Sequence, residues 1–132
     1  MRMKPCLTAD DARRILRASL AEAERNRWNV TVAVVDDGGA LLALERMDGA
    51  FPQSAEIAAR KAWTAAAVRL PTKTMEDMVV ERPALVGFPG QLRVQGGLPL
   101  LVGGECVGAV GVSGVQSHED EQVCNAGIAA LR

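Results

Sequence analysis

The side chains able to do chemistry gather between residues 36 and 61. Asp36 and Asp37 close one apolar run, Glu45, Arg46 and Asp48 close the next, and Glu56, Arg60 and Lys61 follow within a helical pattern. Asp36 or Glu56 could act as a general base once burial raised its pKa, with Arg46 or Lys61 stabilising developing negative charge. That would be acid–base chemistry, an isomerisation or hydrolysis of a small carboxylated compound. Arg46 and Lys61 could instead simply hold a carboxylate, which a guanidinium fork matches bidentately. Glu56 and Arg60 stand four apart, and the plainer reading of that pair is a helix ion pair worth a few tenths of a kcal/mol. Gly96 and Gly97, ahead of Pro99, spell a turn whose backbone N–H groups could face an anion.

Other chemistries find less support. The one histidine, His118, follows Ser117, which reads as the N-cap of the last helix, so a solvated first-turn position is its plainer role. It cannot build a multi-histidine metal site, and no metal site is expected; as a haem ligand it stays available because imidazole is a strong donor. Cys6, Cys106 and Cys124 form neither a C-x-x-C nor a metal spacing, and an odd count gives no disulfide framework. They read as ordinary thiols.

The stretch "GGECVGAVGVSG", from Gly103 to Gly114, invites a phosphate-loop reading. A dinucleotide fingerprint needs G-x-G-x-x-G between strand and helix, whereas Gly108, Gly111 and Gly114 give G-x-x-G-x-x-G. A P-loop needs G-K-[S/T], and Ala109 follows Gly108. A nucleophile elbow needs G-x-S-x-G, and Gly114 comes one place too early. What remains is a strand pared of side chains. Glycine weakens a strand unless a backbone, helix or ligand must come close. Gly108 would share a face with Val110 and Val112, and Gly111 the other with Val107, Ala109 and Ser113.

The elements that position these residues follow from periodicity. "LTADDARRILRASLAEAERN" reads as a helix capped by Thr8, with Asp11 in its first turn and a face of Ala12, Ile15, Leu16, Ser19, Leu20 and Ala23. "NVTVAVVDDGGALLALERMDGA" reads as a hairpin turning at the two glycines. "FPQSAEIAARKAWTAAAVRLP" is a second helix, Ala-rich enough to lie flat on a sheet or a second copy of the chain, and stopped by Pro71. "TKTMEDMVV" makes a short helix and "ERPALVGFPG" a loop. "QLRVQ", "LPLLV" and "ECVGAVGVS" are three strands before a final helix, "HEDEQVCNAGIAALR". The order α-β-β-α-(α)-β-β-β-α, with short turns between strands, predicts an antiparallel five-stranded sheet flanked by helices, the α+β class.

The totals bound the rest. The chain has 132 residues, enough for a single domain spanning 1–132. Two Trp, two Phe and no Tyr leave the core to Val, Leu, Ile and Ala, so elements must pack closely. A net charge of −1 offers no case for nucleic acid. No apolar run reaches the ~18 residues of a membrane span, and the early basic residues have no apolar stretch behind them. The expectation is a cytoplasmic protein without membrane contact.

Taken together, "LTADDARRILRASLAEAE", "VTVAVVDDGGALLALERMDGA", "AEIAARKAWTAA", "GGLPLLVGGECVGAVGVSG" and "DEQVCNAGIAAL" resemble the GlcG/HbpS family, the domain also found at the C-terminus of PduO-type corrinoid adenosyltransferases. The resemblance runs through nearly the whole chain. It implies a profilin-like fold and assembly into homo-oligomers, dimers or larger. It also makes haem or another tetrapyrrole the leading candidate ligand, since some members bind haem and the family has been called haem-degrading. Other members sit in operons for glycolate, diol or aromatic-compound catabolism. The family-like segments direct attention to Asp36, Arg46, Lys61, Gly97, Pro99 and Ser113. No histidine lies in the first helix or hairpin, so a haem site drawing on one there is excluded. Three functions follow: a small-ligand-binding module, a catabolic acid–base enzyme, or an oligomeric accessory without ligand.

Overall fold

A computed structural model describes residues 1–131. Helix α1 (Ala9–Arg25) opens on a reciprocal cap: the Asp11 N–H donates to the Thr8 hydroxyl at 3.1 Å, and the Thr8 N–H to the Asp11 carboxylate at 2.9 Å. Those two bonds hold the Asp11 carboxyl below its usual pKa. Ala12, Ile15, Ser19 and Ala23 form the buried face that the spacing predicts, with Leu16 and Leu20 packed at its margin.

Strands β1 (Thr31–Asp36) and β2 (Leu41–Arg46) form the expected hairpin. Its turn is held by Asp36, whose carboxylate accepts the N–H groups of Gly38 and Ala40 at 2.9 Å each, while Gly39 takes φ +87°. Then come α2 (Ser54–Val68), α3 (Thr72–Glu81), a 3-10 turn (Pro83–Gly87), β3 (Gly97–Val102), β4 (Glu105–Ser113) and α4 (Ser117–Ala129).

The sheet is fully antiparallel in the order β2-β1-β4-β3, so the fold is α+β with four strands among the described residues, not the five expected. The segment "QLRVQ" makes no strand because its backbone bonds to side chains instead of a ladder. The Leu92 N–H donates to the Thr64 hydroxyl at 2.8 Å, and Arg93 stacks on the Phe88 ring at 4.8 Å. Its apolar alternation faces a cleft described below.

Helices α1 and α4 cover one face of the sheet, over Val30, Val32, Val34, Val110 and Val112. Helix α2 covers the other face, where Ala58, Ala62, Ala65 and Ala66 meet Ala33, Val35 and Ala109. β1 is therefore buried on both sides, and small side chains let the second layer close tightly. Helix α4 begins one residue earlier than expected. Gln116 is the N-cap, its N–H donating to Glu119 at 3.1 Å, and Ser117 is the first helical residue.

The glycines of "GGECVGAVGVSG" divide by task. Gly103 and Gly104, at φ +56° and +81°, make the β3–β4 turn, which requires positive φ. A Cβ on Gly111 would collide with the α2 backbone, 2.5 Å from the Ala62 nitrogen and nearer still to the Ala58 carbonyl. One on Gly108 would meet the Val35 carbonyl and Leu7. Both low spots thus receive protein from the same chain. The register shifts where Leu100 pairs with Gly108 but Leu101 pairs with Cys106, leaving Val107 as the extra residue. That bulge returns Val107 to the face of Val110 and Val112 rather than the face of Ala109.

Candidate functional site

A cleft of about 410 Å³ opens where the end of β4 meets the ends of α2 and α4. Its walls are mostly apolar, Phe51, Ile57, Leu92, Val94 and Val115, with Gln53 and Ser117 as polar members. Its floor is polar, made by Lys61, Ser113 and Asp120. Ile57 and Lys61, four apart on α2, share the inward face of that helix. Ser113 ends β4 opposite Thr31 of β1.

Lys61 is 3% exposed and its ammonium is fixed from two sides. Nζ donates to the Val112 carbonyl at 3.0 Å and to the Asp120 carboxylate at 3.2 Å. The other Asp120 oxygen accepts the Val115 N–H at 3.2 Å. Lys61 therefore keeps one N–H without a protein partner among the described residues, and the Ser113 hydroxyl likewise has none. Burial pushes the Asp120 carboxyl up to about 6, against the pull of Lys61 and the Val115 N–H. Ion pairs this deep leave water at a cost of several kcal/mol per charge and are a weak argument for stability.

Close approach of the β3 entry makes the cradle possible. Gly96 has φ +126°, and a Cβ there would lie 2.7 Å from Lys61 Nζ and 3.0 Å from the Val112 carbonyl. A Cβ on Gly97 would lie 2.5 Å from the Lys61 carbonyl. Gly97 is thus a packing residue beneath α2, and its N–H, expected to face an anion, donates to the Thr72 hydroxyl at 2.9 Å. Behind Lys61, the Cys124 thiol donates to the Gly96 carbonyl at 3.1 Å, and burial raises its pKa, keeping it a thiol.

Of the residues singled out in the sequence, the structure brings Lys61 and Ser113 together at this floor, with Gly97 against the Lys61 backbone. The others lie elsewhere. Asp36 is spent on the hairpin turn. Arg46 ends β2, exposed, opposite Thr31. Glu56 is paired with Arg60 at 3.2 Å on the outer face of α2, and both line a separate cleft of about 370 Å³ with Trp63 and Gly39. Pro99 lines a third, with Arg69, Leu98 and Ile128. His118 is exposed in the first turn of α4. An acid–base site combining Asp36 or Glu56 with Lys61 is therefore not assembled within one chain.

The residue that sequence reasoning missed is Asp120. It reads as one more acid in a first turn that favours acids. The signal that finds it is its place on the apolar stripe of α4, where Asp120, Val123, Cys124 and Gly127 are all buried. A carboxylate in that register must find a buried cation, and Lys61 stands 59 residues away.

Haem iron takes axial His, Cys, Met or Tyr. None of these lines the cleft, and the chain has no Tyr and only one His. The donor set does not fit an iron-ligating haem site within one chain at this cleft. Among the described residues, no helix is long and apolar enough to cross a membrane.

Comparisons with known proteins agree with this architecture. Residues 7–129 match the family model described as "Haem degrading protein HbpS-like". Protein GlcG of Escherichia coli is 46% identical over 114 residues, covering 86% of this chain and 85% of that protein. The crystal structure of HbpS superposes with a TM-score of 0.94 at 39% identity, covering 100% of this chain and 94% of that one. A crystal structure of a PduOC:heme complex gives a TM-score of 0.87 at 28% identity, covering 96% and 95%. Sequence and fold agree over almost the full length, and the chain belongs to the HbpS-like family.

Proposed function

We propose that this protein binds a small molecule in the cleft floored by Lys61, Ser113 and Asp120. One observation carries the reading: a buried ammonium with an N–H to spare and a hydroxyl without a protein partner line the same largely apolar cleft. Binding sites of this size are mostly apolar with a few convergent polar groups that fix orientation. The ligand is therefore expected to carry an apolar body and an oxygen acceptor at one end. Native mass spectrometry of the purified protein is expected to find a co-purifying small molecule. The Ile57→Trp variant, which fills the cleft, is expected to lose it. Retention of the same molecule by Ile57→Trp would move the site elsewhere.

Haem is the ligand favoured by a second observation, the likeness to the PduOC:heme complex. With no axial donor in the cleft, a tetrapyrrole would be held by its ring and its propionates. Haem and iron-free protoporphyrin are then expected to bind alike, in parallel absorption titrations. A saturable Soret shift for haem, with no binding of protoporphyrin, would show that the iron is ligated. Assembly into homo-oligomers is proposed on family grounds, and light scattering tests it.

A further inference from the structure

We propose that the Lys61–Asp120 floor makes this cleft a receptor for small organic monoanions, a carboxylate on an apolar body, and that Asp120 takes up one proton as the anion enters. The inference rests on the cleft being the ligand site and adds the ligand's charge and the regulation of its binding.

The geometry gives the anion two donors, the third N–H of Lys61 and the Ser113 hydroxyl, and apolar walls for its body. Charge then becomes the deciding quantity. Lys61 and Asp120 cancel each other, so the empty floor is close to neutral. A ligand carboxylate reaching Lys61 would stand next to the Asp120 carboxylate with little water between them. Two carboxylates sharing one cation in such a place do not both stay ionised.

The surroundings select Asp120 as the proton acceptor. Across from it stand Lys61 on α2 and the Val115 N–H at the end of β4, both favouring the carboxylate. Glu119 beside it on α4 and the burial itself oppose that charge, and burial is the larger effect. The Cys124 thiol one turn on is neutral, and the Glu121 carboxylate accepts a hydrogen bond from the Gln95 amide at 3.1 Å. Once Asp120 is protonated, the floor carries one positive charge from Lys61, and the incoming anion neutralises it. A neutral amide of the same shape needs no such exchange.

The test uses phenylacetate and its neutral isostere phenylacetamide as probes of the whole protein by titration calorimetry. Runs at pH 7.5 in two buffers of different ionisation enthalpy count protons. About one proton is expected to be taken up per phenylacetate bound, and none per phenylacetamide. Phenylacetate affinity is expected to rise about tenfold for each pH unit from 8 towards 6, as linkage of one proton to one ligand requires, then to level off. Asp120→Asn is expected to abolish both the proton uptake and the pH dependence, and Ile57→Trp to abolish binding. The proton count on the unaltered protein decides the matter even if Asp120→Asn folds poorly. Phenylacetate binding without proton uptake, equal binding of the amide, or no phenylacetate binding between pH 5 and 8 would each overturn the inference. The cleft would remain the proposed site for another ligand, judged by the co-purified molecule and its loss in Ile57→Trp.

Discussion

Gly111→Ala tests whether the glycines of β4 serve helix packing. Gly111 has no positive φ, so the backbone accepts Ala without strain, and only space decides. The new Cβ would lie 2.5 Å from the Ala62 nitrogen and 3.0 Å from the Ala62 Cβ, with the Ala58 carbonyl closer still. Ordinary contact begins near 3.4 Å, so α2 must lift by about 1 Å along the seam that Ala58, Ala62 and Ala65 now close. The obstruction is main chain, which cannot rotate away. Overpacking of a tight core costs about 1–3 kcal/mol, and the upper end applies here. Loss of glycine's unfolded-state freedom returns about 0.4–1 kcal/mol, leaving a net loss of roughly 2 kcal/mol. At about 2.1 cal/mol/K per residue of unfolding entropy, that lowers Tm of this 132-residue chain by roughly 7 °C. The assay is urea and thermal denaturation beside Gly103→Asn. Gly103 has nothing near it but takes φ +56°, which Asn tolerates, so that variant should stay within about 0.5 kcal/mol of the parent. A Gly111→Ala variant as stable as Gly103→Asn would refute the packing argument.

Further outcomes follow from other features. Asp120 is raised to about 6 in the folded protein from 3.8, so the folded state holds its proton more tightly than the unfolded chain does. Its contribution therefore favours folding as pH falls from above 6 towards 4, by about 3 kcal/mol in all, read from urea midpoints across that range. Lys61→Met removes the cation that holds this pKa down. It should cost about 3–5 kcal/mol at pH 8 and visibly less at pH 5, where protonated Asp120 no longer needs a partner; equal losses at both would contradict the burial argument. Thr8→Ala breaks the α1 cap and should cost about 1 kcal/mol in chemical denaturation. Cys6 is exposed while Cys106 and Cys124 are buried, so one thiol per chain should react rapidly with a thiol reagent, and three after unfolding.

The fold was legible wherever local patterns decide it. The α1 cap, the first hairpin and the Ala-rich flank of α2 follow from residues close in sequence, and each is found where its pattern predicts. "QLRVQ" misled because its alternation of Leu92 and Val94 is real, but is answered by Thr64 and a cleft rather than by a neighbouring strand. The bulge at Val107 has no side-chain signature, so face assignment by alternation slipped at that residue. At the site, Lys61 stood out as a cation able to hold a carboxylate, and Ser113 was singled out through the family-like segments. Asp120 did not stand out, because an acid in a first turn has a sufficient local explanation, and its buried partner is revealed only when the Lys61 side chain of α2 reaches past the end of β4 to α4.

Pro99 has a consequence beyond its own cleft. β3 is an outer strand, and its outward donors start at Gly97, whose N–H is already taken by Thr72. Two residues on, in the same parity, Pro99 has no N–H to offer. Over that half of β3 a stray strand would therefore find no donors to pair with, one of the devices that protect a sheet margin against edge-to-edge aggregation. β2, on the opposite margin, contains no proline and exposes Leu41 and Leu44. The sheet is thus guarded on one margin and open on the other, and misassembly of partly folded chains is expected to start along β2.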